Sequence, residues 1–85
     1  MNSNKQNLIN KIKYRSQYRG TKEMDIFVNS FVIKIINHLN FDELKQLNKL
    51  INLSDEDIIN ILNGEKKTDL DDKITSLLFD FKKKY

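Results

Sequence analysis

Apolar residues recur along this chain at spacings of three and four, which is the period of an amphipathic α-helix. The longest such stripe runs from Met24 to Leu39, over about four turns, and predicts a helix with an apolar face wide enough to cover a core. Its members are Met24, Phe27, Val28, Phe31, Val32, Ile35, Ile36 and Leu39. No stretch of useful length alternates with a period of two. The pattern therefore favours an all-α fold in which this segment is the central helix.

A shorter and more weakly amphipathic helix is predicted before it. This helix starts near Ser3, a candidate N-cap, and ends at Gly20, because glycine adopts the left-handed conformation that closes a helix without a Cβ penalty. The side chains predicted to line its inner face are Leu8, Ile9, Ile12, Tyr14 and Tyr18.

Three further helices follow, and the residues at their ends mark where each one starts or stops. Asn40 and Glu43 form a predicted capping box, Ser54 caps the next helix, Gly64 stops that helix, and Thr68 begins the last one. The predicted inner faces hold Leu44, Leu47, Leu50 and Ile51, then Ile58, Ile59, Ile61 and Leu62, then Leu70, Ile74, Leu77, Leu78 and Phe81. We therefore predict a small five-helix bundle that forms one domain over residues 1–85, with residues 82–85 as a frayed tail.

The charge of the chain is distributed unevenly. Six basic residues and no acidic residue occur up to Lys22, whereas the remainder holds nine basic and twelve acidic residues. A basic N-terminal segment favours an acidic partner surface or a phosphate-bearing ligand, although a solvated helix face explains it equally simply. No apolar run is long enough to span a bilayer, and the opening residues lack the apolar core of a secretory signal. We therefore expect a cytoplasmic protein.

The residue types that catalysis requires are scarce in this chain. His38 is the only histidine and there is no cysteine, so no typical metal site is predicted. The serines have no neighbouring histidine to activate them. Gly20 and Gly64 lie too far apart to form a loop that cradles a phosphate. Helix capping explains the acidic run at 55–57. We therefore expect a protein that is not an enzyme, with no catalytic, metal-binding or cofactor-binding residues.

Nucleic-acid binding is an alternative that the sequence leaves open. Tyr14 and Tyr18 are interleaved with basic residues, and such a segment can contact phosphates and stack on bases. Against this interpretation, the net charge is only +3 and no helix-turn-helix spacing is evident.

The segment YRSQYRGTKEMD, residues 14–25, surrounds one of the two glycines with charged residues. Arg19 precedes Gly20, while Glu23 and Asp25 follow on the first turn of the next helix. The helix dipole alone accounts for acidic residues at that position. A glycine that bares the main chain, flanked by a guanidinium and a carboxylate, is also typical of a protein docking site. The residues alone do not decide between these two interpretations.

This segment resembles the RGxxE signature of the SdhE family, the FAD assembly factors of succinate dehydrogenase, whose typical form is R-G-M-x-E-x-D. Arg19, Gly20, Glu23 and Asp25 occupy the four defining positions, and Arg15 matches the basic residues that precede the motif. The later segment LINLSDEDIINILNGEKKTD is similar to the family's second block, so the resemblance covers most of the chain in the same order. Two positions depart from the family pattern: Thr21 replaces a common Met, and Ile61 replaces a common Trp.

The resemblance implies a five-helix bundle that binds the flavoprotein subunit of succinate dehydrogenase, and often that of fumarate reductase. Members promote covalent attachment of FAD to a histidine of that subunit, and no cofactor is expected on this chain itself. Arg19, Gly20 and Glu23 would form the docking patch, with Asp25 and Arg15 supporting it. A monomeric bacterial protein is expected. One lineage of the family has been described as the antitoxin of a toxin–antitoxin pair, which remains an alternative role.

Overall fold

The arrangement of helices follows from the computed structural model, which describes residues 3–17, 21–64 and 72–84. Within these ranges the chain forms five α-helices, one short 3-10 turn and no strand, so the predicted all-α bundle is confirmed. The helices are α1 (Ser3–Ser16), α2 (Lys22–Ile35), α3 (Phe41–Ile51), α4 (Asp55–Leu62) and α5 (Asp72–Lys84). Helix α1 packs against both α2 and α3.

Several predictions concern residues outside the described ranges. These are the helix stop at Gly20, the helix start at Thr68, the inner-face positions Tyr18 and Leu70, and the terminal Tyr85. The helix that was predicted to begin at Thr68 is described from Asp72 onward.

The apolar face of α2 forms the centre of the core. All eight residues of its predicted stripe are buried, and the most enclosed are Phe31, Val32 and Ile36. From α1, Ile12 is fully buried and Ile9 nearly so, and both belong to the same core cluster. From α3, the four predicted leucine and isoleucine positions are all buried. The helical period therefore identified these core positions correctly.

The end of α2 differs from the prediction. The α-helix stops at Ile35, and a 3-10 turn over Ile36–His38 replaces the expected continuation to Leu39. Leu39 and Asn40 are then extended, with ψ angles of 144° and 178°. Asn40 must leave the helical region for its side chain to cap α3, so the chain unwinds before it. His38 lies exposed in this turn.

The predicted caps at the starts of α3 and α4 are confirmed. The Glu43 backbone N–H donates to Asn40 Oδ1, and the Asn40 N–H donates to Glu43 Oε1, both at 2.8 Å. The Asp57 N–H donates to Ser54 Oγ at 3.1 Å. Gly64 follows α4 with a φ of 74°, the left-handed conformation expected of a glycine stop. Local sequence therefore defines these helix ends.

Helix α5 contacts α2 through a cluster of three phenylalanine rings. The Phe81 ring lies 5.5 Å from the rings of both Phe27 and Phe31, in tilted arrangements that aromatic pairs prefer. Lys34 Nζ lies 5.9 Å from the centroid of the same Phe81 ring. Ile74 and Leu78 are buried on the same helix. Phe81 therefore joins the last helix to the middle of the central one.

Two residues predicted to face inward are exposed instead. Tyr14 is 66% exposed, because it lies two residues after the buried Ile12 and thus about 200° around α1 from it. Ile59 is 43% exposed, because it is about 100° around α4 from Ile58, whereas Ile61 lies close to the buried side. Both predictions were therefore wrong. The structure also places Lys82–Lys84 in the exposed last turn of α5.

An ion pair connects α3 with α5. Lys73 Nζ lies 2.6 Å from Glu43 Oε2, while Glu43 Oε1 accepts the Asn40 N–H of the capping box. The hydrogen bond from Lys73, followed by that from the Asn40 backbone, holds the pKa of Glu43 below its ordinary value of 4.5. One carboxylate thus serves both a helix cap and a contact between helices.

We expect this ion pair to make stability depend on pH. Because the pKa of Glu43 is lowered in the folded state, its contribution is present above about pH 4.5 and is lost as the pH falls through the folded pKa. Glu43→Gln keeps a side-chain acceptor for the cap but removes the charge. Urea unfolding should therefore show wild type to be more stable at pH 7 and the difference to shrink below pH 4.5.

A double-mutant cycle with Lys73→Gln assigns this effect to the pair. A coupling free energy that does not decline as the pH falls below 4.5 would contradict the assignment, because protonation of Glu43 removes the charge that pairs with Lys73.

Candidate docking site

The first turn of α2 is fixed by Thr21, which is the N-cap residue of this helix. Its side chain accepts a hydrogen bond from the Met24 N–H at 3.2 Å, and its carbonyl accepts one from the Asp25 N–H at 2.9 Å. Met24 is buried, so the same turn is held against the core. The SdhE pattern commonly has methionine at this position. Because methionine is a weaker hydrogen-bond acceptor than threonine, Thr21 supplies a cap that methionine would not supply equally well.

The residues of the predicted docking patch are located as follows. Glu23 is exposed on the first turn of α2, and Asp25 is half-buried two residues later. Arg15 is exposed in the last turn of α1. Arg19 and Gly20 lie outside the described residues, so the RG half of the motif stays a sequence prediction. The acidic residues of the motif lie within the described residues, in the first turn of α2. The Thr21 cap and the buried Met24 hold this turn in place.

Arg15 makes a tertiary contact that the sequence did not predict. Its Nη1 donates to Oδ1 of Asn52 at 2.6 Å, across 37 positions of sequence. Asn52 is the C-cap of α3, so this bond ties the end of α1 to the turn between α3 and α4. Arg15 therefore has a role in the fold in addition to any role in docking.

Ser16 holds the end of α1 against α2. Its side chain is completely buried, and its hydroxyl donates to the Lys13 carbonyl at 2.9 Å. The same oxygen lies 3.1 Å from Oδ1 of Asn29 on α2. Ser16 follows Ile9 and Ile12 at helical spacing, and that period was the signal that would have placed it inside.

A groove follows α1 on one side of the bundle, bounded by α2 and the 3-10 turn in its larger part and by the 3-10 turn in its smaller part. One part has a volume of about 310 Å³ and another about 210 Å³, and the two share Ile36 and Asn37. The remaining lining residues are Lys13, Gln17, Asn29 and Ile33 in the larger part, and Lys5, Gln6 and Ile9 in the smaller part. We call this feature the α1–α2 groove. Sequence analysis did not identify it, because it depends on how the two helices pack.

The chemistry of the site is that of recognition by charge and hydrogen bonding. Over residues 3–17, 21–64 and 72–84, no group of three or more His, Cys, Asp or Glu side chains is arranged to hold a metal ion. In the same ranges, no helix has the length and apolar character needed to cross a membrane. The exposed carboxylate of Glu23 and the polar rim of the groove can form ionic contacts and hydrogen bonds with another molecule.

Comparison with known protein families assigns the chain to one of them. A family model described as Sdh5, the flavinator of succinate dehydrogenase, matches residues 10–84, which include the whole 14–25 segment. The chain belongs to the Sdh5 family. The resemblance to succinate dehydrogenase assembly factors is thereby confirmed, and the assembly-factor role follows from membership. Neither a curated protein nor a solved structure matches the chain.

Thr21→Ala tests the role of the cap in the first turn of α2. The Met24 N–H would lose its side-chain acceptor, so we expect the free energy of unfolding to fall by about 1 kcal/mol. Thr21→Ser keeps the acceptor and is expected to stay close to wild type. Chemical denaturation measures both variants. Equal stability of the alanine and serine variants would show that the Thr21 side chain does not stabilise the helix start.

Proposed function

We propose that this chain binds the flavoprotein subunit of succinate dehydrogenase and promotes the covalent attachment of FAD to that subunit. The family match over residues 10–84 is the observation that carries the proposal. The chain holds no cofactor itself, and the FAD on which it acts is bound by the partner. By the same resemblance, the proposal includes the flavoprotein of fumarate reductase as a second client. We propose that the chain acts as a monomer.

The proposed docking patch consists of Arg19, Gly20 and Glu23, supported by Asp25 and Arg15. The exposure of Glu23 on an anchored helical turn supports this assignment. An exposed carboxylate near a helix N-terminus contributes only about 0.3–1 kcal/mol to folding. Truncation of a carboxylate that pairs with a cation in a buried interface costs about 2–5 kcal/mol of binding, largely because the partner's charge is left unpaired. Glu23 is therefore more important for binding than for stability.

The proposed mechanism is selection of a conformation of the client. Bond formation between the flavin and the client's histidine uses groups of the flavoprotein, and this chain supplies only contacts. A ligand that binds one conformation more tightly than another shifts the equilibrium toward the first. The shift in free energy equals the difference between its binding free energies for the two conformations. A preference of about 1.4 kcal/mol for the conformation that reacts would raise its relative population about tenfold.

Glu23→Ala tests the patch against a closely matched control. Glu23 and Glu56 are both exposed, and each is the second residue after the cap of its helix, α2 and α4 respectively. Their truncation should therefore cost similar stability through the helix dipole. We expect Glu23→Ala to weaken binding to the apo flavoprotein subunit by about 10- to 100-fold, because it leaves a buried cation of the partner unpaired. Glu56→Ala should bind like wild type.

The affinity is measured by titrating labelled chain with the purified subunit, while thermal melting checks the folding of each variant. Equal binding by the two variants would reject Glu23 as a docking residue. Failure of the wild-type chain to bind the subunit at all would reject the proposed function.

A further inference from the structure

The α1–α2 groove combines an apolar wall with a basic and polar rim. Ile33 is 59% exposed on the α2 side, while Ile36 is almost fully buried at the junction of the two parts of the groove. Lys5 and Lys13 line it from α1. An isoleucine exposed to this extent gains free energy when a partner covers it. The groove therefore offers an apolar contact beside two cations.

The charges around the groove indicate the chemistry of its occupant. None of the described residues that line either part is acidic, and α1 carries four basic residues and no acidic one. Lys5 and Lys13 are therefore placed to attract carboxylates. The other polar lining residues are amides, which both donate and accept hydrogen bonds and so suit a peptide backbone. These amides are Gln6, Gln17, Asn29 and Asn37.

The α2 wall of the groove starts at Asn29, in the second turn of that helix. Asn29 lies one helical turn after Asp25 on α2, and Gln17 directly follows α1. Glu23 lies in the first turn of the same helix, so a partner large enough to contact both regions can bind Glu23 and the groove together.

We propose that the α1–α2 groove binds a segment of the client flavoprotein in which an acidic side chain lies next to an apolar one. The acidic group pairs with Lys13 and the apolar group covers Ile33. This inference rests on the proposed function and adds a second contact region to the docking patch. A protein segment fits better than a nucleic acid, because the exposed Ile33 and the amides suit an apolar side chain and a peptide backbone, and none of the described lining residues carries an aromatic ring.

Two substitutions in the groove test the inference, each with a matched control. Ile33→Asn removes the apolar contact, and Ile59→Asn makes the same change at the exposed isoleucine of α4. Lys13→Glu reverses the charge on the rim, and Lys11→Glu does so at an exposed lysine of α1 that does not line the groove. The probe is the purified apo flavoprotein subunit of succinate dehydrogenase, titrated at low and at high salt.

We expect each groove variant to weaken binding about tenfold and each control to change it by less than about twofold. The reason is that a few central residues carry most of the binding energy of an interface. The loss in Lys13→Glu should shrink at high salt, whereas the loss in Ile33→Asn should persist. Thermal melting should show all four variants to be folded, because none of these positions is fully buried.

The other outcomes separate this inference from the proposed function. If Glu23→Ala weakens binding but both groove variants bind like wild type, the groove is not a contact and the function stands. If Lys11→Glu weakens binding as much as Lys13→Glu, the attraction is unspecific and the groove inference fails. If the wild-type chain binds no flavoprotein but binds single-stranded RNA with a steep loss at high salt, both proposals fail.

Discussion

Burial of the apolar face of α2 is the interaction on which the other elements depend. Phe31, Val32 and Ile36 are almost inaccessible to solvent, and they occupy the centre of the single core cluster that includes Ile12 of α1. Phe81 of α5 packs its ring on the same face. Since one side of α2 is fully used for the core, its other side must face outward. The exposed positions Glu23 and Ile33 lie on that outward side.

A helix fixed in this way is a suitable platform for docking. Thr21 caps the first turn and Met24 anchors it, so little conformational entropy remains to be lost there when a partner binds. Ser16 joins α1 to α2 through its hydrogen bond to Asn29, which is one of the residues that line the groove. The described part of this surface is therefore ordered in the free chain. Under the proposed function, such preorganisation would let binding energy act on the conformation of the client instead of on the ordering of this chain.

The sequence predicted features that depend on neighbouring residues, and it missed features that depend on how helices cross. The caps at Asn40 and Ser54 were predicted correctly because each involves residues only three positions apart. Ile59 was assigned to the wrong side because helical spacing is least informative at the edge of an apolar stripe, whereas the spacing of Tyr14 from Ile12 places Tyr14 on the opposite side of α1 and argued against its assignment. The Arg15–Asn52 and Lys73–Glu43 contacts, across 37 and 30 positions, require the packed structure. The α1–α2 groove also requires the packed structure, since its walls come from different parts of the chain. The assignment of Glu23 and Asp25 to a docking motif, in contrast, rests on the sequence and stays a prediction.

Hydrogen–deuterium exchange in the complex most directly tests whether this side of the bundle is the surface that meets the client. Backbone exchange is compared between the free chain and the chain bound to apo flavoprotein subunit of succinate dehydrogenase. Binding should slow exchange mainly in peptides covering residues 13–25 and 26–37, with little change in those covering 55–62. Slowed exchange confined to residues 55–62 and 72–84, with 13–37 unchanged, would contradict this prediction.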